Sequence, residues 1–168
     1  ESQGESRQMC TNLAFDPFYC RPLGLDYQIV NALQARAYME KSKVSDAHLA
    51  KVVVRSRKNA KKNPFARENA MVDEKAVMES PMLSDPIRTL HYYPVTDWAF
   101  GMLLCCEERA KEFSKNPIWL TGYGSCMDSY FLGDKDLTSN FSLKEAARRA
   151  YEKAGVKDPR KEIQLFEL

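Results

Sequence analysis

The sequence predicts an α/β protein in which a helical, basic module precedes an α/β module with a layered sheet. Apolar residues recur at helical spacing between residues 27 and 60, whereas short unbroken apolar runs alternate with helical segments after Pro94. Hydrophobic residues make up 44% and charged residues 29% of the chain, a mixture typical of globular proteins rather than of disordered ones.

Three helices are predicted in the first half of the chain, after 26 residues that indicate irregular loop. They cover residues 27–41, 46–62 and 74–78. Ser45 or Asp46 is suited to cap the second helix and Asp73 the third, because short polar side chains accept from free backbone N–H groups. Pro64 and Pro81 end these two helices, since proline disfavours helical geometry in the residue before it.

The second half predicts strands and helices in alternation. The predicted order is strand Ala99–Cys105, helix Glu107–Phe113, strand Ile118–Tyr123, a long helix from Ser142, and strand Ile163–Leu168. Ser142 and Glu145 have the spacing of a capping box, and Gly155 supplies a C-terminal stop for the long helix. The unbroken apolar runs are typical of strands covered on both faces, so we expect them to be buried.

Positive charge is concentrated in one stretch although the net charge is only +2. This stretch contains no acid, and its cations are Lys51, Arg55, Arg57, Lys58, Lys61, Lys62 and Arg67. Such a field suits phosphate or another polyanion, and a solvated helix face is the alternative interpretation.

The compartment and the partners are predicted largely by what the sequence lacks. The longest apolar run, residues 98–106, is far shorter than the roughly 20 residues that a membrane span needs, and no signal segment opens the chain. Five cysteines without CxxC spacing or a histidine cluster favour free thiols over disulfides or zinc. We therefore expect a cytoplasmic protein with no membrane span and no metal. Binding of nucleic acid by the basic helices is a competing hypothesis, but the sequence has no known reading motif, so we expect no nucleic-acid partner.

Individual motifs for catalysis are weak. Cys105 and Cys106 end an apolar run, which favours packing, whereas Cys126 follows a glycine-marked strand end and is the better nucleophile candidate. The glycines of Gly122–Gly124 lack the rest of a dinucleotide fingerprint. Asp134 and its neighbours lack the further oxygen ligands of a calcium loop.

Four segments in order resemble one family. They are YMEKSKVSDAHLAKVVVRSRKNAKKNPFA (38–66), SPMLSDPIRTLHYYPVTDWAFGMLLCCEERAKE (80–112), GYGSCMDSYFLGDKDL (122–137) and SLKEAARRAYEKAGV (142–156). Together they resemble the thiolase superfamily, in particular the branch of sterol-carrier-protein-type thiolases and archaeal acetyl-CoA acetyltransferases. The resemblance implies part of a thiolase-like layered sheet with an inserted, mainly helical loop domain. It assigns residues 1–90 to the loop domain, 91–115 to the end of the N-terminal half and 116–168 to the start of the C-terminal half.

The resemblance also implies an activity, namely acyl transfer between thioesters of coenzyme A. We expect the catalytic cysteine upstream of Glu1 and the histidine motif beyond Leu168, so that this stretch holds no catalytic residue. The expected substrate contacts are His91, Tyr92, Tyr93 and Pro94, beside the pantetheine tunnel. One or more of Arg55, Arg57, Lys58 and Lys61 is expected to hold the phosphates. Coenzyme A is then a substrate, with no covalently bound cofactor. The implied assembly is a homodimer, or a hetero-oligomer with a partner built from a zinc ribbon and an OB-fold.

Aromatic residues depart from the family pattern. Asp97-Trp98-Ala99-Phe100 stands where the family has Asp-Gly-Ala-Ala, and Tyr92 and Tyr93 stand where it often has small residues. Added volume of this kind indicates an aromatic or branched acyl substrate such as benzoylsuccinyl-CoA. The alternatives are a thiolase-like aldolase acting on a CoA-thioester side chain and a non-catalytic thiolase-like subunit.

Overall fold

The computed structural model describes residues 10–66, 70–93 and 99–167. The chain divides into two compact units, of which the first comprises Glu1–Trp98 and Tyr130–Ser139 and the second Ala99–Ser129 and Asn140–Leu168. The architecture is α/β, mostly helical with a small two-stranded sheet. The assignment of residues 1–90, 91–115 and 116–168 to parts of a thiolase stays a prediction.

The three predicted helices of the first unit are confirmed. They are α1 (Tyr27–Ser42), α2 (Asp46–Ala60) and α3 (Glu74–Glu79). Asp26 begins α1, because its carboxylate accepts from the N–H of Ile29 at 2.9 Å, and Lys43 ends it in a left-handed conformation. Asp73 begins α3 in the same way, accepting from Ala76 at 2.7 Å.

The core of the first unit lies where α2 packs against α3. Ala50 on α2 and Val77 on α3 have no exposed surface. Arg57 of α2 is buried as well, with only 9% of its surface exposed, and among the described residues it is the one buried cation of the basic stretch.

A short hairpin follows α3 and was not predicted. Strand β1 (Met82–Ser84) pairs antiparallel with β2 (Ile87–Arg88), with Met82 opposite Arg88, and both strands pack against α1. Asp85-Pro86 forms the turn, and the Asp85 carboxylate binds Arg36 of α1. The Asp85-Pro86 dipeptide could have predicted this turn from the sequence, since Asp-Pro favours the start of a turn.

Asp16 organises the loop that precedes α1. One carboxylate oxygen accepts from the backbone N–H groups of Phe18 at 2.9 Å and Tyr19 at 2.7 Å, and the other accepts from the Tyr130 hydroxyl at 2.5 Å. The Tyr130 hydrogen bond is the main cause that lowers the pKa of Asp16. Tyr19 also meets Phe131 edge to face, with ring centroids 5.8 Å apart. The segment Tyr130–Ser139 is thereby held within the first unit.

The second unit contains α4 (Glu107–Phe113), α5 (Phe141–Ala154) and α6 (Pro159–Glu162). The first two are as predicted, but the predicted Ser142–Glu145 capping box is wrong. Asn140 caps α5 by accepting from the N–H of Leu143 at 3.2 Å, so the helix begins one residue earlier. Glu145 instead pairs with two arginines of its own helix, chiefly Arg148, which lowers the pKa of Glu145 to about 2.

The predicted buried strands of the second unit are a further correction. Among the described residues only β1 and β2 pair as strands, so the segments 99–105, 118–123 and 163–167 have no strand neighbours. Most of their apolar side chains are exposed, with Phe100 at 69%, Leu104 at 72% and Ile118 at 96% exposure, whereas Ile163 is half-buried. An apolar run becomes a buried strand only when neighbouring strands satisfy its backbone and other layers cover its faces. Leu168, the last residue of the third predicted strand, lies outside the described residues.

Candidate functional site

The turn that carries the predicted substrate contacts follows strand β2. Residues Thr89–His91 form a 3-10 helix, anchored because the N–H of Thr89 donates to the Pro81 carbonyl at 2.9 Å. The Arg88 guanidinium donates to the carbonyl of Ser80, at the end of α3, at 2.9 Å. Helix α2 packs against the same turn. Three elements therefore fix the backbone from which the site side chains project.

His91 has a defined orientation. Its Nδ1 accepts from the backbone N–H of Arg88 at 3.0 Å, while its Nε2 is buried without a hydrogen-bond partner in the described part of the chain. The pKa of His91 is lowered, first by desolvation and then by the charge of Arg88, with Asp46 opposing. The neutral ring is the favoured form.

The Tyr92 side chain is half-buried, whereas most of the Tyr93 side chain is exposed. The Tyr92 ring meets Tyr27 edge to face, with centroids 6.0 Å apart, and its hydroxyl accepts from the Asn31 amide at 3.2 Å. Desolvation is the main cause that raises the pKa of Tyr92. Tyr93 is 70% exposed. Pro94, the fourth predicted contact, lies outside the described residues.

Exposed cations cover one face of α2. Lys51, Arg55 and Lys58 follow each other at spacings of four and three residues, which puts them on one side of a helix. Lys61 and Lys62, directly after the helix, are exposed too. None of these five pairs with an acid in the part of the chain that the structure describes. Arg67 of the predicted basic stretch lies outside that part.

The cysteines form no nucleophile arrangement in the described residues. Cys105 and Cys106 are both exposed, so the prediction that they pack in an interior is wrong, because the segment before them lacks strand neighbours. Cys126 is half-buried, and its thiol donates to the Met127 carbonyl at 3.5 Å. Neither a group of three or more metal-ligating side chains nor a helix able to span a membrane is found among the described residues.

The glycines of Gly122–Gly124 have a packing role that the sequence did not reveal. A Cβ on Gly122 would lie 2.2 Å from the Ala150 carbonyl oxygen of α5, and one on Gly124 would lie 2.1 Å from that of Ala146. The chain therefore runs directly against the backbone of α5. Alanines at 146, 150 and 154, four residues apart, were the signal for such a close approach.

Two basic side chains of α5 hold the same segment. Arg149 donates to the Ser125 carbonyl at 2.6 Å, and the Lys153 ammonium lies 3.4 Å from the centroid of the Tyr123 ring. The GYG segment is thus a structural contact with a helix face, and it offers no phosphate loop.

Comparison with known proteins confirms the resemblance to the thiolase superfamily. The chain is 30% identical over 132 residues to an acetyl-CoA acetyltransferase of Methanothermobacter thermautotrophicus, covering 78% of this chain and 34% of that protein. It is 28% identical over 148 residues to an acetyl-CoA acetyltransferase of Methanocaldococcus jannaschii, covering 86% and 37%. It is 26% identical over 126 residues to the benzoylsuccinyl-CoA thiolase subunit BbsB of Thauera aromatica, covering 74% and 33%.

The chain spans about a third of the length of these curated relatives. No family model matches it.

Proposed function

We propose that this chain is part of a thiolase-type acyl-CoA C-acyltransferase, which cleaves or condenses thioesters of coenzyme A. The observation that carries the proposal is the match to acetyl-CoA acetyltransferases over most of this chain. In such an enzyme a cysteine thiolate takes the acyl group as a covalent intermediate. The resemblance puts that cysteine, and the histidine that activates it, outside this stretch, so we assign no catalytic role to any residue here.

The role that we assign to this stretch is binding of the CoA thioester by His91, Tyr92, Tyr93 and Pro94. A half-buried turn that carries an exposed aromatic ring suits the arm of such a substrate. The cations of α2, which packs against the turn, suit its phosphates. Asp46, whose charge acts on His91, begins α2, and Lys58 lies 12 residues later, hence about 18 Å along the helix. A ligand that contacts both the His91 turn and Lys58 therefore has to be extended.

The proposed acyl group is aromatic or branched. Tyr92 and Tyr27 already form an edge-to-face pair beside the exposed ring of Tyr93, an environment in which another ring stacks favourably. One of the relatives is named as a subunit of a benzoylsuccinyl-CoA thiolase, which supports benzoylsuccinyl-CoA as a candidate. A homodimer, or a complex with a zinc-ribbon and OB-fold partner, is part of the same proposal. A thiolase-like aldolase and a non-catalytic subunit are its alternatives.

The test is calorimetric titration of the chain with CoA, acetyl-CoA and benzoyl-CoA. We expect binding of all three, with Tyr93→Ala lowering the affinity for benzoyl-CoA about two- to ten-fold through the lost ring contact. Tyr123→Ala in the second unit is the matched control, because Tyr123 is 66% exposed against 70% for Tyr93. A chain that binds no CoA compound, or equal losses in both variants, contradicts the proposed site.

Activity separates the alternatives. The protein that carries this stretch between its natural flanking segments is assayed for release of a shorter acyl-CoA with free CoA as co-substrate. CoA-dependent thiolysis favours the acyltransferase, CoA-independent release of an aldehyde or ketone favours the aldolase, and neither reaction favours the non-catalytic subunit.

A further inference from the structure

The turn Thr89–His91 is closed by a hydrogen bond between the residue that precedes it and its own last side chain. The backbone N–H of Arg88 donates to Nδ1 of His91 at 3.0 Å. This is the arrangement of a capping box, in which the third helical residue supplies the acceptor, usually as the side-chain oxygen of Glu or Gln. Unlike the carboxamide of Gln, an imidazole has no acceptor left once it takes up a second proton. The turn is therefore held by a bond that a proton can break.

The closed turn offers no acceptor to either N–H of a doubly protonated His91 ring. A backbone amide keeps its proton, so a proton on Nδ1 would face the N–H of Arg88. Nε2 is buried and has no hydrogen-bond partner among the described residues, so its N–H is unpaired already in the neutral ring. Unpaired buried donors are costly, and opening of the turn lets water accept from both nitrogens. A second proton and the closed turn are therefore incompatible.

We propose that His91 is an acid-sensitive latch: uptake of a proton from solvent on Nδ1 breaks its bond to Arg88 and releases the turn Thr89–His91 from helix α2. Opening also removes the bond from the N–H of Thr89 to the Pro81 carbonyl, which holds the other end of the turn. The proposal concerns the fold alone, so it holds whether or not the turn binds CoA.

The charges around the ring set the direction of the response. Burial is the largest effect and lowers the pKa of His91, the Arg88 charge lowers it further, and Asp46 in the first turn of α2 raises it. The titratable groups of α1 act on the neighbouring tyrosine, and they are Asp26 and Tyr27. Because the closed turn takes up the proton less readily than the open turn does, acid favours the open form.

The second histidine of the chain provides an internal comparison. Nδ1 of His48 accepts from the backbone N–H of Ser45 at 3.1 Å, at the start of α2, and lies 2.9 Å from the Ser45 hydroxyl oxygen. Both residues are exposed, so water replaces any hydrogen bond that is lost there. His48→Gln is therefore the matched control for removal of a histidine from this part of the fold.

Amide hydrogen exchange measured by NMR reports opening of the turn, when each rate is compared with that of an unstructured peptide at the same pH. An open turn with an ordinary histidine pKa of about 6.5, and a closed turn that takes no second proton, imply an opening constant that rises about ten-fold from pH 7.5 to 5.5. We expect the protection of the Arg88 and Tyr92 amides to fall by that factor, while amides in the middle of α1 keep theirs. His91→Gln keeps an acceptor that does not titrate and should abolish the fall, whereas His48→Gln should retain it.

Each outcome decides for or against the latch. Unchanged protection of the Arg88 amide at the lower pH overturns it, and so does the same fall in His91→Gln. An equal loss of protection throughout α1 means global unfolding and overturns it too. If His91→Gln folds differently from the parent chain, nitrogen-15 spectra of the parent decide. A doubly protonated His91 ring beside a protected Arg88 amide refutes the latch, whereas protonation together with loss of that protection supports it.

Discussion

Replacing Gly124 by alanine tests the close approach between the GYG segment and helix α5. The new methyl group would lie 2.1 Å from the Ala146 carbonyl oxygen and 3.0 Å from the backbone nitrogen of Ala150. Ordinary van der Waals contact begins at 3.4 Å, so the segment and the helix have to move apart. Neither partner is a flexible side chain, and the Ala146 carbonyl also belongs to the hydrogen-bond ladder of the helix.

The expected loss follows from the size of that separation, which is 1.3 Å, the difference between 3.4 Å and 2.1 Å. Overpacking of this kind costs about 1–3 kcal/mol, and contact between two backbones favours the upper end. Alanine also restricts the unfolded chain, which offsets about 0.4–1 kcal/mol. The net destabilisation that we expect for Gly124→Ala is therefore about 2 kcal/mol, with a similar value for Gly122→Ala.

Urea unfolding followed by far-ultraviolet circular dichroism measures this loss as a fall of about 1 M in the midpoint. Gly101→Ala is the matched control in the same unit, because a Cβ at Gly101 meets nothing within 4 Å. We expect that variant to stay within about 0.5 kcal/mol of the parent chain. The double variant at 122 and 124 should lose less than the sum of the single losses, since one movement relieves both contacts.

The close packing is refuted if Gly124→Ala and Gly101→Ala unfold at the same urea concentration. A loss at Gly124 with none at Gly122 would mean that the segment meets α5 at one point only.

Three further predictions concern the first unit. Asp26→Ala removes the cap of α1 and should lower the free energy of unfolding by about 1 kcal/mol in thermal melts. Asp26→Asn should retain most of that stability, because asparagine is also a good N-cap. Because folding lowers the pKa of His91, the folded chain takes up its proton less readily than the unfolded chain does. Its stability should therefore fall as the pH drops below about 6.5 towards the folded pKa, and His91→Asn should remove that dependence in urea titrations across this range. Tyr130→Phe removes the largest cause of the low pKa of Asp16, so the Asp16 carboxyl should titrate closer to its ordinary range in carbon-13 spectra, while Tyr123→Phe leaves it unchanged.

Helices could be predicted from local patterns because their hydrogen bonds and caps are local. Asp73 and Gly155 act where the sequence indicates, each at an end of its helix. The N-cap of α5 is Asn140, two residues before the predicted Ser142, because asparagine is an equally good cap and its side-chain oxygen accepts from the N–H of Leu143. Helix α6 has the cap Asp158 followed by proline, a pattern that was present in the sequence and was not used.

Strands and the candidate site depend on long-range partners, which a single sequence does not specify. The run before Cys105 has the composition of a buried strand, yet its burial depends on neighbours that the described residues do not provide. The substrate-contact role of His91 came from resemblance to a family and stays a prediction. The hydrogen bond that fixes its ring, and the packing of α2 on its turn, are features of the folded chain.

The link between Asp16 and Tyr130 constrains the order in which the chain can fold. These two residues are 114 positions apart, and the segment that carries Tyr130 is flanked on both sides by residues of the second unit. During synthesis the Asp16 loop therefore cannot close before residues 99–129 of the second unit have been made, and its closure carries the entropy of a long loop. A polypeptide ending at residue 98 would leave the Asp16 carboxylate without the hydroxyl of Tyr130. The first unit cannot be excised as one continuous piece, so dissection of this protein by truncation should yield fragments that are less stable than either unit in the whole chain.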